Sequence, residues 1–225
     1  MPNGPWWNHL LTWLLAAPPS PSLPEGLRWP DQWRAGVAIV AVTLLLTVDA
    51  YHTLFGSKLL TRTILYLFIP LLIVLLLFRE PPARYGLHPG DWRAGLVLTA
   101  IGWVGAVVVV LTVRKAAPFR TYYGQAAVGR LPFWLADGIE LFGWEFFFRG
   151  FLLFALYRAC GPLAILLQAV PFALAHIGKP ELETLSCIFG GAFFGYVAWR
   201  TNSSLYPFLI HWLLASLTTW MTGGG

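Results

Sequence analysis

Apolar residues run along this chain in long blocks, broken by short polar connections, rather than alternating at strand spacing. Seven blocks stand out: Ala35 to Phe55, Thr63 to Phe78, Ala94 to Val113, Phe133 to Tyr157, Pro162 to Ile177, Thr184 to Trp199 and Leu205 to Met221. A helix needs ~20 apolar residues to cross the hydrocarbon core of a bilayer. A backbone facing lipid must also satisfy its own hydrogen bonds, so each block is expected to be helical. The pattern therefore predicts an all-α, polytopic transmembrane helix bundle of about seven spans. Pro70 interrupts the second block and predicts a kink there. Ahead of the blocks, Trp6 to Ala17 is apolar and rich in Trp but too short to span, which predicts an N-terminal interfacial helix. No Lys or Arg precedes it, so the basic start of a signal peptide is missing. Pro18 to Pro30 holds five prolines and reads as an extended linker.

Composition strengthens this picture. Apolar residues make up 57% of the 225 residues and charged residues only 11%. A soluble domain carries about 25% charged residues, so lipid is the expected main partner and the protein is expected to be integral and multi-pass. The 12 Trp suit the headgroup level, where the ring is buried and its N–H stays wet. The net charge of +5 comes from bases in the short connections, where anchoring explains them; no nucleic-acid partner is expected. Arg28, Arg34, Arg79, Arg84, Arg93, Arg158 and Arg200 fall on one side of the predicted bundle. Lys58, Arg62, Arg114, Lys115, Arg120, Arg130 and Lys179 fall on the other, so basic residues alone do not orient it. Cys160 and Cys187 lie in apolar surroundings without C-x-x-C spacing and read as structural thiols.

Ionisable groups inside a membrane are costly and line a bundle interior or a wet cavity. The fourth block carries Glu140, Glu145 and Arg149, the fifth His176, the seventh His211, and the first Asp49 with His52 close to its end. Glu145 and Arg149 are four apart, so on a helix they share a face and can pair. A carboxylate among apolar groups has its pKa raised, and a guanidinium pulls it back, which suits a base acting near neutral pH. Two imidazoles on other helices complete what water-dependent bond cleavage needs: one to share the water, one to donate to the developing oxyanion. A buried network that only holds helices together has the same composition. Glu, His and His are also acceptable zinc ligands, although no H-E-x-x-H occurs. Asp49 and His52 are expected to be structural.

These residues sit in a pattern that resembles the CAAX-protease and bacteriocin-processing (CPBP/Abi) family. Trp144-Glu145-Phe146-Phe147-Phe148-Arg149-Gly150 resembles its E-E-x-x-x-R motif, Phe172 to His176 its F-x-x-x-H motif, and His211 the start of H-x-x-x-N. The glycine-rich Phe189 to Gly195, then Arg200-Thr201-Asn202-Ser203-Ser204-Leu205 and Pro207, also match the family's habit. The resemblance runs from about Leu131 to Thr219. It divides the chain into residues 1–34 (interfacial segment and linker), 35–130 (accessory helices) and 131–225 (protease core). It implies an intramembrane endopeptidase of the glutamate type, historically called a metalloprotease, acting without an expected cofactor on a C-terminal tail or membrane-proximal peptide. The variant W-E-F-F-F-R-G-F looks like a branch that trims sorting tails of bacterial surface proteins, which would place the chain in a bacterial plasma membrane. Carried over by position, Glu145 and Arg149 match the second Glu and the Arg of the first motif, His176 the water-activating histidine, and His211 the oxyanion-side histidine.

Two positions depart from the family. Trp144 stands where the first Glu, the leading candidate for general base, is expected, and Ala215 replaces the Asn of the third motif. Glu145 or Glu140, one turn before Trp144, can take over as base. Ser216 or a backbone N–H can stand in for the lost amide donor. The alternative is a catalytically inactive membrane protein that binds or confers immunity on the same fold. The glycines of the fourth and sixth blocks are expected to let helices approach closely.

Overall fold

A computed structural model describes residues 12, 13, 16, 32–124 and 132–223. Most of the expected interfacial helix and all of the proline-rich linker lie outside the described residues. Among the described residues the regular structure is helical, apart from an isolated bridge between Ile177 and Lys179. The helices are α1 (Gln32–Tyr51), α2 (Lys58–Leu77), α3 (Trp92–Val113), α4 (Ala117–Tyr123), α5 (residues 133–160), α6 (residues 164–174), α7 (Glu181–Thr201) and α8 (Leu205–Gly223).

Among the described residues, five stretches are long and apolar enough to cross a membrane: Gln32–Tyr51, Lys58–Leu77, Trp92–Val113, Phe133–Leu174 and Glu181–Thr201. The fourth and fifth expected blocks form one 42-residue stretch, folded back at Gly161. Its φ of +59° and ψ of −143° suit a residue without Cβ. α1 ends at Tyr51, before the expected Phe55, where the chain turns through Phe55 at φ +52°. In α2, Pro70 lies in a short α-helical piece between π-helical turns at Ile64–Phe68 and Ile73–Leu77. The wider turns accommodate a ring that cannot donate to the ladder.

Small residues let the helices meet, as close packing in a membrane requires. On α3, a Cβ at Gly95 would fall 2.2 Å from the Tyr206 ring, and one at Gly102 would fall 2.6 Å from Ile210, so α8 lies directly on α3. On α7, a Cβ at Gly191 would come within 2.9 Å of Phe172 and 3.0 Å of Ala169, which seats α6. Gln168 donates to the Gly191 carbonyl at 2.8 Å across the same contact. Gly190 has nothing within 4 Å of its Cβ position, so it is not one of the close-approach glycines.

The R-T-x-S-L turn between α7 and α8 is fixed from outside. Asn202 ends α7 in the left-handed region at φ +55°, which Asn tolerates. Ser203 Oγ donates to the His88 carbonyl at 2.6 Å, and Ser204 N donates to the Gly86 carbonyl at 3.0 Å. Arg200 donates to Asp91 at 2.9 Å and to the Trp13 carbonyl at 2.6 Å. Asp91 also caps α3 by accepting from Ala94 N at 3.1 Å. The turn thereby sets the angle at which α8 carries His211 into the bundle.

Candidate functional site

The site begins in α5. Residues Phe146–Leu152 wind as a π-helix, and all seven are buried. π-turns inside α-helices recur at functional sites. A Cβ at Gly150 would come within 2.6 Å of the Tyr85 carbonyl, so only a glycine admits that loop. The wider turn keeps Glu145 and Arg149 on one face, with Arg149 Nη1 donating to Glu145 Oε1 at 3.1 Å. Neither side chain reaches solvent.

His211, on α8, joins them from the neighbouring helix: its Nδ1 donates to the same Glu145 Oε1 at 2.6 Å. A carboxylate only accepts, so this contact assigns the proton to Nδ1 and leaves Nε2 for other work. His176 follows the end of α6. Its Nδ1 donates to the Phe172 carbonyl at 2.8 Å, which fixes that ring in the same tautomer. The His176 carbonyl accepts from Thr184 Oγ1 at 2.8 Å, tying the irregular segment 175–180 to α7. Phe172 stands among all of them. Its ring centre is 4.5 Å from that of His176 and 5.9 Å from that of His211, with the Arg149 guanidinium 3.8 Å away.

His176 and His211 line one cavity of about 320 Å³, together with Phe172, Cys187, Gly190, Phe194 and Ala215. Glu145 and Arg149 back this wall, bonded through His211 and stacked under Phe172. Where the family's third motif has Asn, the wall offers the Ala215 methyl group. Ser216 Oγ is buried without a hydrogen-bond partner among the described residues. Cys160 and Cys187 are free thiols, and Cys187 faces the cavity rather than packing alone. At the mouth, Tyr123 donates to both Glu183 oxygens at 2.7 and 2.8 Å, and Lys179 donates to Glu183 at 2.9 Å. The charge of Glu183 and burial raise the Tyr123 pKa, burial being the larger cause. The sequence shows i,i+4 spacing for Lys179 and Glu183 but nothing that announces Tyr123 as their partner.

Glu140 is elsewhere. It accepts from Arg62 Nη1 at 2.5 Å, and Arg62 Nε donates to Asp49 Oδ2 at 3.1 Å. Lys58 donates to Asp49 Oδ1 at 3.3 Å and to the Asp49 carbonyl. The structure thus brings together Glu145, Arg149 and His211, places His176 in the same cavity as His211, and puts Glu140 in a separate ion-pair network with Asp49. Trp144 stands between the two groups, edge-on to His176 at 5.8 Å and beneath Arg62 at 5.8 Å. Among the described residues no three His, Cys, Asp or Glu gather as a metal-binding group. Glu145, His176 and His211 thus do not converge as a zinc site requires.

Residues 131–217 match the family model described as type II CAAX prenyl endopeptidase Rce1-like, a match covering less than half of the chain. It spans the three motifs, and the CAAX-protease resemblance read from them holds for this segment. The apolar helices make this an integral membrane protein, and its residues 131–217 are similar to a peptidase family. No curated protein and no solved structure matches the chain.

Proposed function

We propose that the chain is an intramembrane endopeptidase of a bacterial plasma membrane, cutting a C-terminal tail or membrane-proximal peptide with water activated by Glu145, His176 and His211. Residues 131–225 form its catalytic core, and residues 35–130 are accessory helices packed on it. The observation that carries this reading is the 2.6 Å bond from His211 to a fully buried carboxylate at the wall of a cavity that His176 also lines. That bond holds the His211 tautomer and leaves Nε2 to take a proton from water, while the carboxylate behind it stabilises the imidazolium that forms. The hydroxide adds to the scissile carbonyl. The protonated Nε2 then faces the oxyanion as a donor and afterwards gives its proton to the leaving amine. His176, with Nδ1 held by Phe172, offers a second bare Nε2 to orient the water. Arg149 holds Glu145 in place from the other side by donating to the same oxygen. In this reading Trp144 takes no part as base, and the base is the Glu145–His211 pair rather than Glu140.

Trp144 and Ala215 favour a second reading, an inactive protein that binds through the same fold. Reconstitution in vesicles with a membrane-anchored reporter ending in candidate C-terminal tails, bacterial sorting tails among them, separates the two. The peptidase reading expects the parent to cleave a tail, with loss in Glu145→Ala and His176→Ala and no effect of a chelator. A well-folded parent that cleaves none of them favours binding.

A further inference from the structure

The α7 wall of the cavity that His176 and His211 line contains a gap. Successive residues of a helix turn by ~100°, and Leu182, Glu183, Ser186, Cys187, Gly190 and Phe194 share the face of α7 that lines this cavity. Gly190 lies in the middle of that face. Gly191 and Gly195 lie on the next face, where a Cβ would strike Phe172 at 2.9 Å and Gln168 closer still, so helix packing accounts for them. Packing does not account for Gly190: a Cβ there would meet nothing within 4 Å. Gly105 on α3 is equally open but lines no wall of the cavity. A glycine in mid-helix weakens the helix, so the space at Gly190 calls for a reason other than the fold. The position is level with the chemistry. Gly191 seats Phe172, whose ring centre is 4.5 Å from that of His176 and 5.9 Å from that of His211. Phe194, one turn beyond Gly190, has its ring centre 5.3 Å from that of His211.

We propose that Gly190 is a specificity-determining residue: the space where its side chain would stand receives a large apolar side chain of the substrate, next to the scissile bond. The proposal rests on the peptidase reading of this cavity. Gly190 lies two turns along α7 from Glu183 at the mouth, ~10 Å into the bundle. A tail entering beside Lys179 and Glu183 passes it on the way to the two histidines. An extended strand sends successive side chains to opposite faces. While one of its carbonyls faces His176 and His211, a neighbouring side chain therefore turns toward α7. Beyond the mouth the lining is largely apolar, with Val109 and Val113 from α3, Phe194 from α7, and Leu214 and Ala215 from α8. Burial of apolar surface is thus what selects the side chain. Any side chain at position 190 would take up the same space and leave room only for a small substrate residue.

The test uses the full chain in lipid vesicles or nanodiscs and two membrane-anchored reporters, alike except for a large apolar residue (Leu or Phe) or Ala beside the cleaved bond. The Cβ position at 190 is free of contacts, so Gly190→Ala and Gly190→Leu are expected to keep or raise the unfolding stability of the parent. Gly190→Ala adds one carbon and is expected to lower kcat/KM on the large-residue reporter about tenfold, the lower end of what one methylene commands in an apolar pocket; Gly190→Leu is expected to lower it by about 200-fold or more. Both variants are expected to spare the Ala reporter. Gly190→Ala carries the test if Gly190→Leu does not fold. Folded variants that cleave the large-residue reporter like the parent, or that lose both reporters equally, overturn the proposal and leave the peptidase reading standing. If the parent cleaves neither reporter, binding of a fluorescent peptide copying the large-residue tail is compared between parent and variants. Binding by the parent that Gly190→Leu weakens about tenfold or more supports the subsite and removes the peptidase reading. Equal binding by both, or no binding by the parent, overturns both.

Discussion

Arg149 lays its guanidinium 3.8 Å from the centre of the Phe172 ring, and both side chains are buried. That ring face, the more distant faces of Phe194 at 5.2 Å and Phe148 at 5.7 Å, and the bond to Glu145 answer a cation whose Nε and Nη2 have no hydrogen-bond partner among the described residues. A desolvated cation over an aromatic face gains ~2 kcal/mol or more. The same ring packs on His176 at 4.5 Å. Phe172→Leu, close in volume but without a π-face, is expected to lower unfolding stability by about 2 kcal/mol and to slow cleavage through misplacement of His176. Denaturant unfolding in mixed micelles and reporter turnover measure the two effects.

Glu145→Gln keeps the shape of the side chain and an acceptor for His211 but removes the charge. The imidazolium of the proposed mechanism then forms without its counter-ion. kcat for the reporter is expected to fall by about 10²–10⁴ with little change in KM. Arg149 is left buried without a charge partner, so stability should fall by ~3–5 kcal/mol. If turnover survives in protein shown to be folded, another residue is the base.

Glu140→Ala separates the two carboxylates of α5. Glu140 meets Arg62, which keeps its second partner Asp49. Both members of the Glu140–Arg62 pair are about a third exposed, so its loss is expected to cost at most about 1 kcal/mol. Reporter cleavage should stay within roughly threefold of the parent, a change below that of losing a single hydrogen bond. A loss comparable to that of Glu145→Gln would return Glu140 to the role of base.

A pH effect is expected in the loop between α2 and α3. Glu80 accepts from Arg158 at 2.6 Å and from Tyr85 at 2.9 Å, with Arg34 and Arg84 each at 3.4 Å. Burial pushes its carboxyl up, but the Arg158 hydrogen bond and charge, with Tyr85 and Arg34, outweigh this and hold it below the ordinary 4.5. The folded value is the lower one, so its stabilisation is complete above about 4.5 and is lost as pH falls through the depressed value. Thermal unfolding of the parent should weaken in that acid range. Glu80→Gln should be less stable at neutral pH and lose less on acidification.

Helical class and membrane setting follow from the order of residues alone. Crossing a bilayer is a requirement on length and apolarity, which are one-dimensional properties. The Glu145–Arg149 pair was legible for a similar reason, since i,i+4 neighbours meet within a single helix even where it winds as a π-turn. The motif order from Trp144 to His211 named the helices that carry Glu145 and His211. The partners across the bundle were not legible. His211 reaches Glu145 over 66 residues and Arg62 reaches Glu140 over 78. Which carboxylate meets a histidine depends on how α8 docks on α3 and α5, and that docking is set by the glycines at 95 and 102 and by the turn after α7. The separation of Glu140 from the site by the Trp144 ring likewise exists only once the helices are packed. Local periodicity says which side chains share a face; only the close approach of helices decides what that face meets.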